Sequence, residues 1–173
     1  MTSRQKSKGN AFERQVADHL SKIFSLNFER VPNSGAFTGG KNIERYNTLS
    51  EAQKLIYDGD ILVPEELSNF KIECKSYKDF SFHGLFTQNK QLDVWIEQAE
   101  SNFRLWFLIF KINNKGSFVV FDKSMWKSVR YSGCYSNYKG YYIIPMKGFF
   151  EDNYKTMLKM NEKYIPPSND QVL

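Results

Sequence analysis

The amino-acid sequence predicts an α/β fold, a mixed β-sheet flanked by helices in the order α-β-β-β-α-β, with a further α+β elaboration behind it. Three observations predict it. Apolar residues recur at helical spacing over 10–24 (Phe12, Val16, Leu20, Ile23/Phe24), residues 70–75 alternate as a strand does, and 105–110 is a continuous apolar run of strand length.

Taken in order, residues 1–8 carry Arg4, Lys6 and Lys8 and no acid, and they read as a basic arm. The helix over 10–24 has Asn10 as its N-cap candidate. Residues 27–31 end at Pro32 and form a first strand. The polar, Gly-rich stretch 33–42 is a loop. Ser50-Glu51-Ala52-Gln53 has the form of a capping box and starts a short helix reaching about Ile56. Strands follow at 60–63, stopped by Pro64, and at 70–75, joined as a hairpin by 65–69. A helix over 88–101 carries the stripe Leu92, Trp95/Ile96, Ala99 and Phe103. The run 105–110 is a strand buried on both faces. Beyond it come a strand at 118–121, a short helix capped by Asp122 and running through Val129, a strand at 141–146, a terminal helix over 151–163 and a frayed tail. Neither a repeat nor a long linker interrupts the chain. It reads as one domain over 9–164, with its core at about 9–112, an elaboration at 113–164 and a tail at 165–173.

The length of 173 residues is enough for one well-packed core. Aromatics at 16% exclude wholesale disorder. Lys and Arg exceed Asp and Glu by 24 to 19, a net charge of +5 that permits a polyanionic partner without requiring one. Cys74 and Cys134 belong to no CxxC or Cys/His set, which argues against zinc and against a disulfide framework. The first residues have no apolar signal-peptide core, and the longest apolar run is too short for a bilayer, so a cytoplasmic location and no membrane are expected.

The chemistry concentrates at Asp60 and Glu73-Cys74-Lys75. Residues two apart on a strand share a face. Glu73 and Lys75 therefore project together while Ile72 and Cys74 turn to the core. The connection over 65–69 brings Asp60 alongside. Two carboxylates so placed make a hard-oxygen site suited to Mg²⁺, which takes one or two protein carboxylates and keeps its waters. Such an ion acidifies a bound water and stabilises phosphoryl charge. Lys75 beside it can orient or help deprotonate the water and can neutralise phosphate charge. Bland readings compete. Glu73 and Lys75 also suit a surface ion-pair ladder, Asp58 rivals Asp60, and Glu13 sits where it would complete a capping box with Asn10. His19 and His83 have no partners in a nuclease-like spacing. Tyr131, Tyr135, Tyr138, Tyr141 and Tyr142, interleaved with Arg130 and Lys139, either stack on bases or close a small core.

Across about residues 8–111 this pattern resembles the PD-(D/E)xK nuclease superfamily, a group with a restriction-endonuclease-like fold. The closest likeness is to the archaeal-type Holliday-junction resolvases. The blocks that carry it are residues 9–13 (Gly-x-x-Phe-Glu), 30–35 (Arg-Val-Pro-x-Ser-Gly) and 72–76 (Ile-Glu-x-Lys-Ser). The stretch from Gly35 to Asp60 is longer than that group has, and the part beyond residue 112 has no counterpart in it. The resemblance implies an Mg²⁺-dependent endonuclease, with Mn²⁺ as a substitute, that acts on branched DNA as a homodimer. Asp60, Glu73, Glu13 and the Cys74 carbonyl would hold the metal. Ser34 would approach the scissile strand, and Gln91 would be an accessory residue. Arg4, Lys6, Lys8, Lys41 and Lys78 would contact DNA. Rival functions are a restriction-like or repair endonuclease on linear or mismatched duplex, and a nucleic-acid-binding module that does not cut.

Overall fold

The computed structural model describes residues 3–32, 58–101 and 104–166. The expected loop at 33–42 and helix at 50–56 lie outside the described residues, as do Ser34, Lys41 and Phe103. Helix α1 spans Ser3–Phe24. Residues 3–8, expected as an arm, are thus its first turns, and Asn10 is interior to the helix rather than its cap. Apolar periodicity could not show this start, because the first buried apolar side chain is Phe12. Residues 5–8 before it are polar and exposed, and their types are compatible with helix.

Strands β1 (Glu29–Arg30) and β2 (Ile61–Leu62) pair antiparallel as a small sheet of their own. The hairpin expected between residues 60–63 and 70–75 is not formed. Pro64 closes β2, and a 3-10 turn at Glu65–Leu67 leads to β3 (Phe70–Tyr77). Asn69 just before β3 is tied to Asn161, far along the chain, by bonds of 2.8 and 3.0 Å. Helix α2 (Lys90–Ala99) then crosses to β4 (Leu105–Ile112), which lies parallel to β3 with Glu73 opposite Leu108 and Lys75 opposite Phe110. A parallel pair requires such a crossover. Strands β5 (Gly116–Asp122), β6 (Ser136–Tyr138) and β7 (Tyr141–Pro145) extend the same sheet antiparallel, in the order β3-β4-β5-β7-β6. Helix α3 covers Phe149–Lys163, with acids in its first turn and Lys163 in its last, as the helix dipole favours. This is an α/β fold of the restriction-endonuclease-like kind.

Cores form on both faces of the larger sheet. Phe12, Val16 and Leu20 of α1 and Phe149, Phe150 and Met157 of α3 pack on Ile72, Phe107, Ile109 and Val119. Leu92, Trp95, Ile96 and Ala99 of α2 pack on Trp106, Leu108 and Phe110. Strand β4 serves both cores, and this explains its unbroken apolar run. In the C-terminal part, Asp122 caps only a 3-10 turn, Lys123–Met125, instead of a helix through Val129. Tyr142 stacks on Trp126 at 3.9 Å, and Tyr138 is buried with its hydroxyl donating to Asp93 at 2.8 Å. Those tyrosines close the sheet's far side, while Tyr135 remains exposed.

Asn89 fixes the start of α2. Its side chain accepts from the Leu92 amide at 3.0 Å and donates to the Ser81 carbonyl at 3.0 Å, while its own amide donates to Tyr138. Asn89→Ala is expected to lower the unfolding free energy by about 2 kcal/mol, through the lost cap and the lost bond to the Ser81 carbonyl. Asn89→Asp, which keeps the acceptor, should lose less. Urea denaturation of the three proteins checks the order.

Candidate active site

Among the described residues strand β3 has a neighbouring strand, β4, on one side, and its other edge must find partners for its backbone groups. Asp60, immediately before β2, supplies them. Its amide donates to the Ile72 carbonyl and its carboxylate accepts from the Cys74 amide, each at 2.9 Å. Asp60 is buried, at 7% exposure. Its own carbonyl accepts from Val31 at 2.9 Å, which ties the residue to the chain leaving β1. Gly59 makes this approach possible. Its φ is +107°, and a Cβ there would lie 2.9 Å from the Ile72 carbonyl oxygen.

Register and burial settle which way β3 faces. Ile72 and Cys74 join the α1 core, whereas Lys71, Glu73 and Lys75 pair with Trp106, Leu108 and Phe110 on the α2 face. Glu73 and Lys75 form an ion pair of 2.6 Å, with side chains 13% and 18% exposed. A residue's N–H and C=O leave a strand on the same side. The Cys74 carbonyl therefore looks out on the edge that Asp60 occupies.

The two acids act on each other electrostatically. Burial, and next the charge of Asp60, push the Glu73 carboxyl up to about 7, and the Lys75 charge only partly opposes this. Burial acts to lower the Lys75 pKa, but the charge and hydrogen bond of Glu73 outweigh it and hold the ammonium above its ordinary value. Glu13 on α1 is also raised, by burial and then by Asp60, although Arg30 counteracts this. Arg30 donates through Nε to Glu13 at 2.5 Å and through Nη2 to Asn10 at 3.0 Å. Asn10 and Glu13 thus share a guanidinium from β1 and do not form a capping box.

Asp58, the rival to Asp60, is occupied elsewhere. It pairs with Lys71 at 3.1 Å and Arg104 at 3.4 Å. Among the described residues no group of three or more His, Cys, Asp or Glu side chains is arranged to hold a metal ion. The edge is a two-carboxylate arrangement, with Glu13 beside it. Hard oxygen donors, mutual repulsion and raised carboxyl pKa values suit a dication that keeps its own waters, such as Mg²⁺, and suit zinc poorly.

The remaining candidates are more dispersed. Lys6 and Lys8 are exposed on the first turns of α1, and Arg4 belongs to the same turns. Lys78 lies just past β3, exposed, 4.0 Å from Asp79. Gln91 is half-buried in the first turn of α2. The sequence reading gave no role to Arg30, Lys71 or Arg104. Lys71 was visible in the alternation 71/73/75, whereas Arg104 left no local signal.

A family model described as "Phage putative PDDEXK endonuclease" matches residues 4–163. No curated protein and no solved structure matches the chain. With nearly the whole length covered, and with Asp60, Glu73 and Lys75 gathered at one strand edge, the chain belongs to the phage PD-(D/E)xK endonuclease family.

Proposed function

We propose that the protein is a structure-selective endonuclease that hydrolyses phosphodiester bonds in branched DNA, such as a four-way junction, with Mg²⁺ as its metal and Mn²⁺ as a substitute. The observation that carries the hydrolytic reading is the Asp60 carboxylate held against the Cys74 amide, next to the Glu73–Lys75 pair. The blocks at 9–13, 30–35 and 72–76 support the choice of branched DNA over linear or mismatched duplex. Paired cuts in a four-way junction call for a two-fold homodimer.

In this reading Asp60, Glu73 and the Cys74 carbonyl hold the cation, and Glu13 completes the acid cluster from α1. The bound ion supplies a more acidic water and stabilisation of phosphoryl charge. Lys75, held beside Glu73, would orient or help deprotonate the water and neutralise charge on the phosphate. Ser34 and Lys41 would approach the substrate from outside the described residues. Arg4, Lys6, Lys8 and Lys78 would meet phosphates, with Gln91 accessory.

Labelled four-way, three-way, mismatched and linear DNAs, incubated with Mg²⁺, Mn²⁺ or EDTA, test the assignment. The four-way substrate should be cut and the linear duplex spared. Asp60→Asn, Glu73→Gln and Lys75→Met should each slow cleavage by about 10³-fold. Full activity in Asp60→Asn or Glu73→Gln would contradict the mechanism. Binding without cutting under every metal would favour the non-cutting module.

The pH response follows from Glu73. Its carboxyl, raised from 4.5 to about 7 in the folded chain, takes up protons more readily there than when unfolded. Its contribution to stability is therefore fully present below about 4.5 and is lost as pH rises through 7. A cation needs the ionised carboxylate. Adding Mg²⁺ should accordingly raise the melting temperature at pH 8 and much less at pH 5.5. Thermal melts of the wild type and of Glu73→Gln, which should show no metal-dependent rise, measure the difference.

A further inference from the structure

Among the described residues, strand β2 is two residues long and pairs with β1. Asp60 reaches β3 through its amide, which donates to Ile72, and its carboxylate, which accepts from Cys74. The chain also reaches Asp60 through a glycine, the residue least able to restrict its own conformation. A slip of one residue would present Gly59 or Ile61 to the edge and take the carboxylate away from Cys74. Something must set the register on the far side of Gly59.

Asp58 is fixed there from two directions. Its carboxylate pairs with Lys71 at 3.1 Å and with Arg104 at 3.4 Å, and its carbonyl accepts from Arg104 Nη1 at 3.4 Å. Arg104 Nη2 donates to the Phe70 carbonyl, so one guanidinium joins the chain entering β2 to the start of β3. Lys71 Nζ donates also to the carbonyls of Gln98 at 2.9 Å and Glu100 at 3.4 Å. These groups lie at the C-terminal end of α2, where carbonyls lack helical partners and a cation is favoured. Lys71 and Arg104 are each only 8% exposed, and Arg104 Nε is buried with no partner among the described residues. Two buried cations on one carboxylate are a costly way to hold a turn. Apolar packing would hold it too, but without direction. The forked guanidinium adds a fixed register.

We propose that Asp58, Lys71 and Arg104 are positioning residues that set Asp60 against Cys74, acting on the reaction through Asp60 and not by touching DNA. The claim of an effect on cleavage rests on the nuclease reading above. The claim of register does not.

Amide hydrogen exchange on the full-length, metal-free protein tests the register directly. The Cys74 amide is protected by the Asp60 side chain, while the β4 amides are protected by the sheet. Arg104→Lys keeps the charge and most of the volume but loses the fork. It should speed exchange at Cys74 about tenfold and leave β4 unchanged, and Asp58→Asn should do the same. Mn²⁺ alone, titrated calorimetrically, should bind both variants about tenfold more weakly. On a cleaved DNA, kcat should fall while KM holds. Wild-type exchange at Cys74 in Arg104→Lys would overturn the proposal, and so would equal acceleration at Cys74 and throughout β4, which marks general loosening. Should Asp58→Asn fail to fold, Arg104→Lys decides alone. A wild-type chain that cuts no DNA would defeat the nuclease reading, and Cys74 exchange would still decide the register.

Discussion

The site depends on a side chain doing the work of a strand. The Asp60 carboxylate takes the Cys74 amide at the edge of β3 that β4 leaves bare. An uncovered edge presents backbone groups that must be paired or solvated. Covering this one with the backbone amide and the carboxylate of a single residue pairs the Ile72 carbonyl and the Cys74 amide and sets a negative charge beside Glu73. Fold and chemistry are thereby coupled. Asp60 cannot leave without uncapping β3, and β3 cannot shift without moving Glu73 and Lys75.

Acids gathered this closely repel, and the fold answers with cations drawn from different elements. Two unit charges about 4 Å apart interact by about 4 kcal/mol at the effective dielectric of a protein surface. Lys75 comes from the same strand as Glu73, Arg30 from β1 meets Glu13, and Lys71 with Arg104 meets Asp58. Glu73 still ends with a raised pKa, first through burial and next through the charge of Asp60, which Lys75 opposes only in part.

How much of this the sequence disclosed depends on the range of each interaction. Strand β3 was legible because alternation is local. Ile72 and Cys74 against Glu73 and Lys75 carry the pattern by themselves. Strand β4 was legible because burial on both faces demands apolar residues without a break. The start of α1 was hidden, since its first turns bury no large apolar side chain and periodicity has nothing to report there. The pairing of β2 with β1 was hidden too, because two-residue strands carry no pattern. Among the site residues, Asp60 and Glu73 could be matched by spacing. The partners of Asp58 could not, since Arg104 lies 46 positions away and its bond to Phe70 exists only once β3 and β4 are aligned.

The corrected start of α1 also changes what its basic residues can do. On a mobile arm, Lys6 and Lys8 would average over many positions and add only loose attraction to a polyanion. On a helix they are rigidly joined to Glu13. Lys8 stands five positions before Glu13, a rise of about 7.5 Å. Arg30 and Asn10 then pin that helix to β1, and Phe12 anchors it in the core. Positive charge thus stands at a fixed offset from the acid cluster, carried by the same element that contributes one of its members. Folds of this kind serve many substrates, and discrimination among them has to come from surfaces around the shared edge. A rigid basic helix end can favour one phosphate geometry over another, whereas a flexible arm of equal charge cannot.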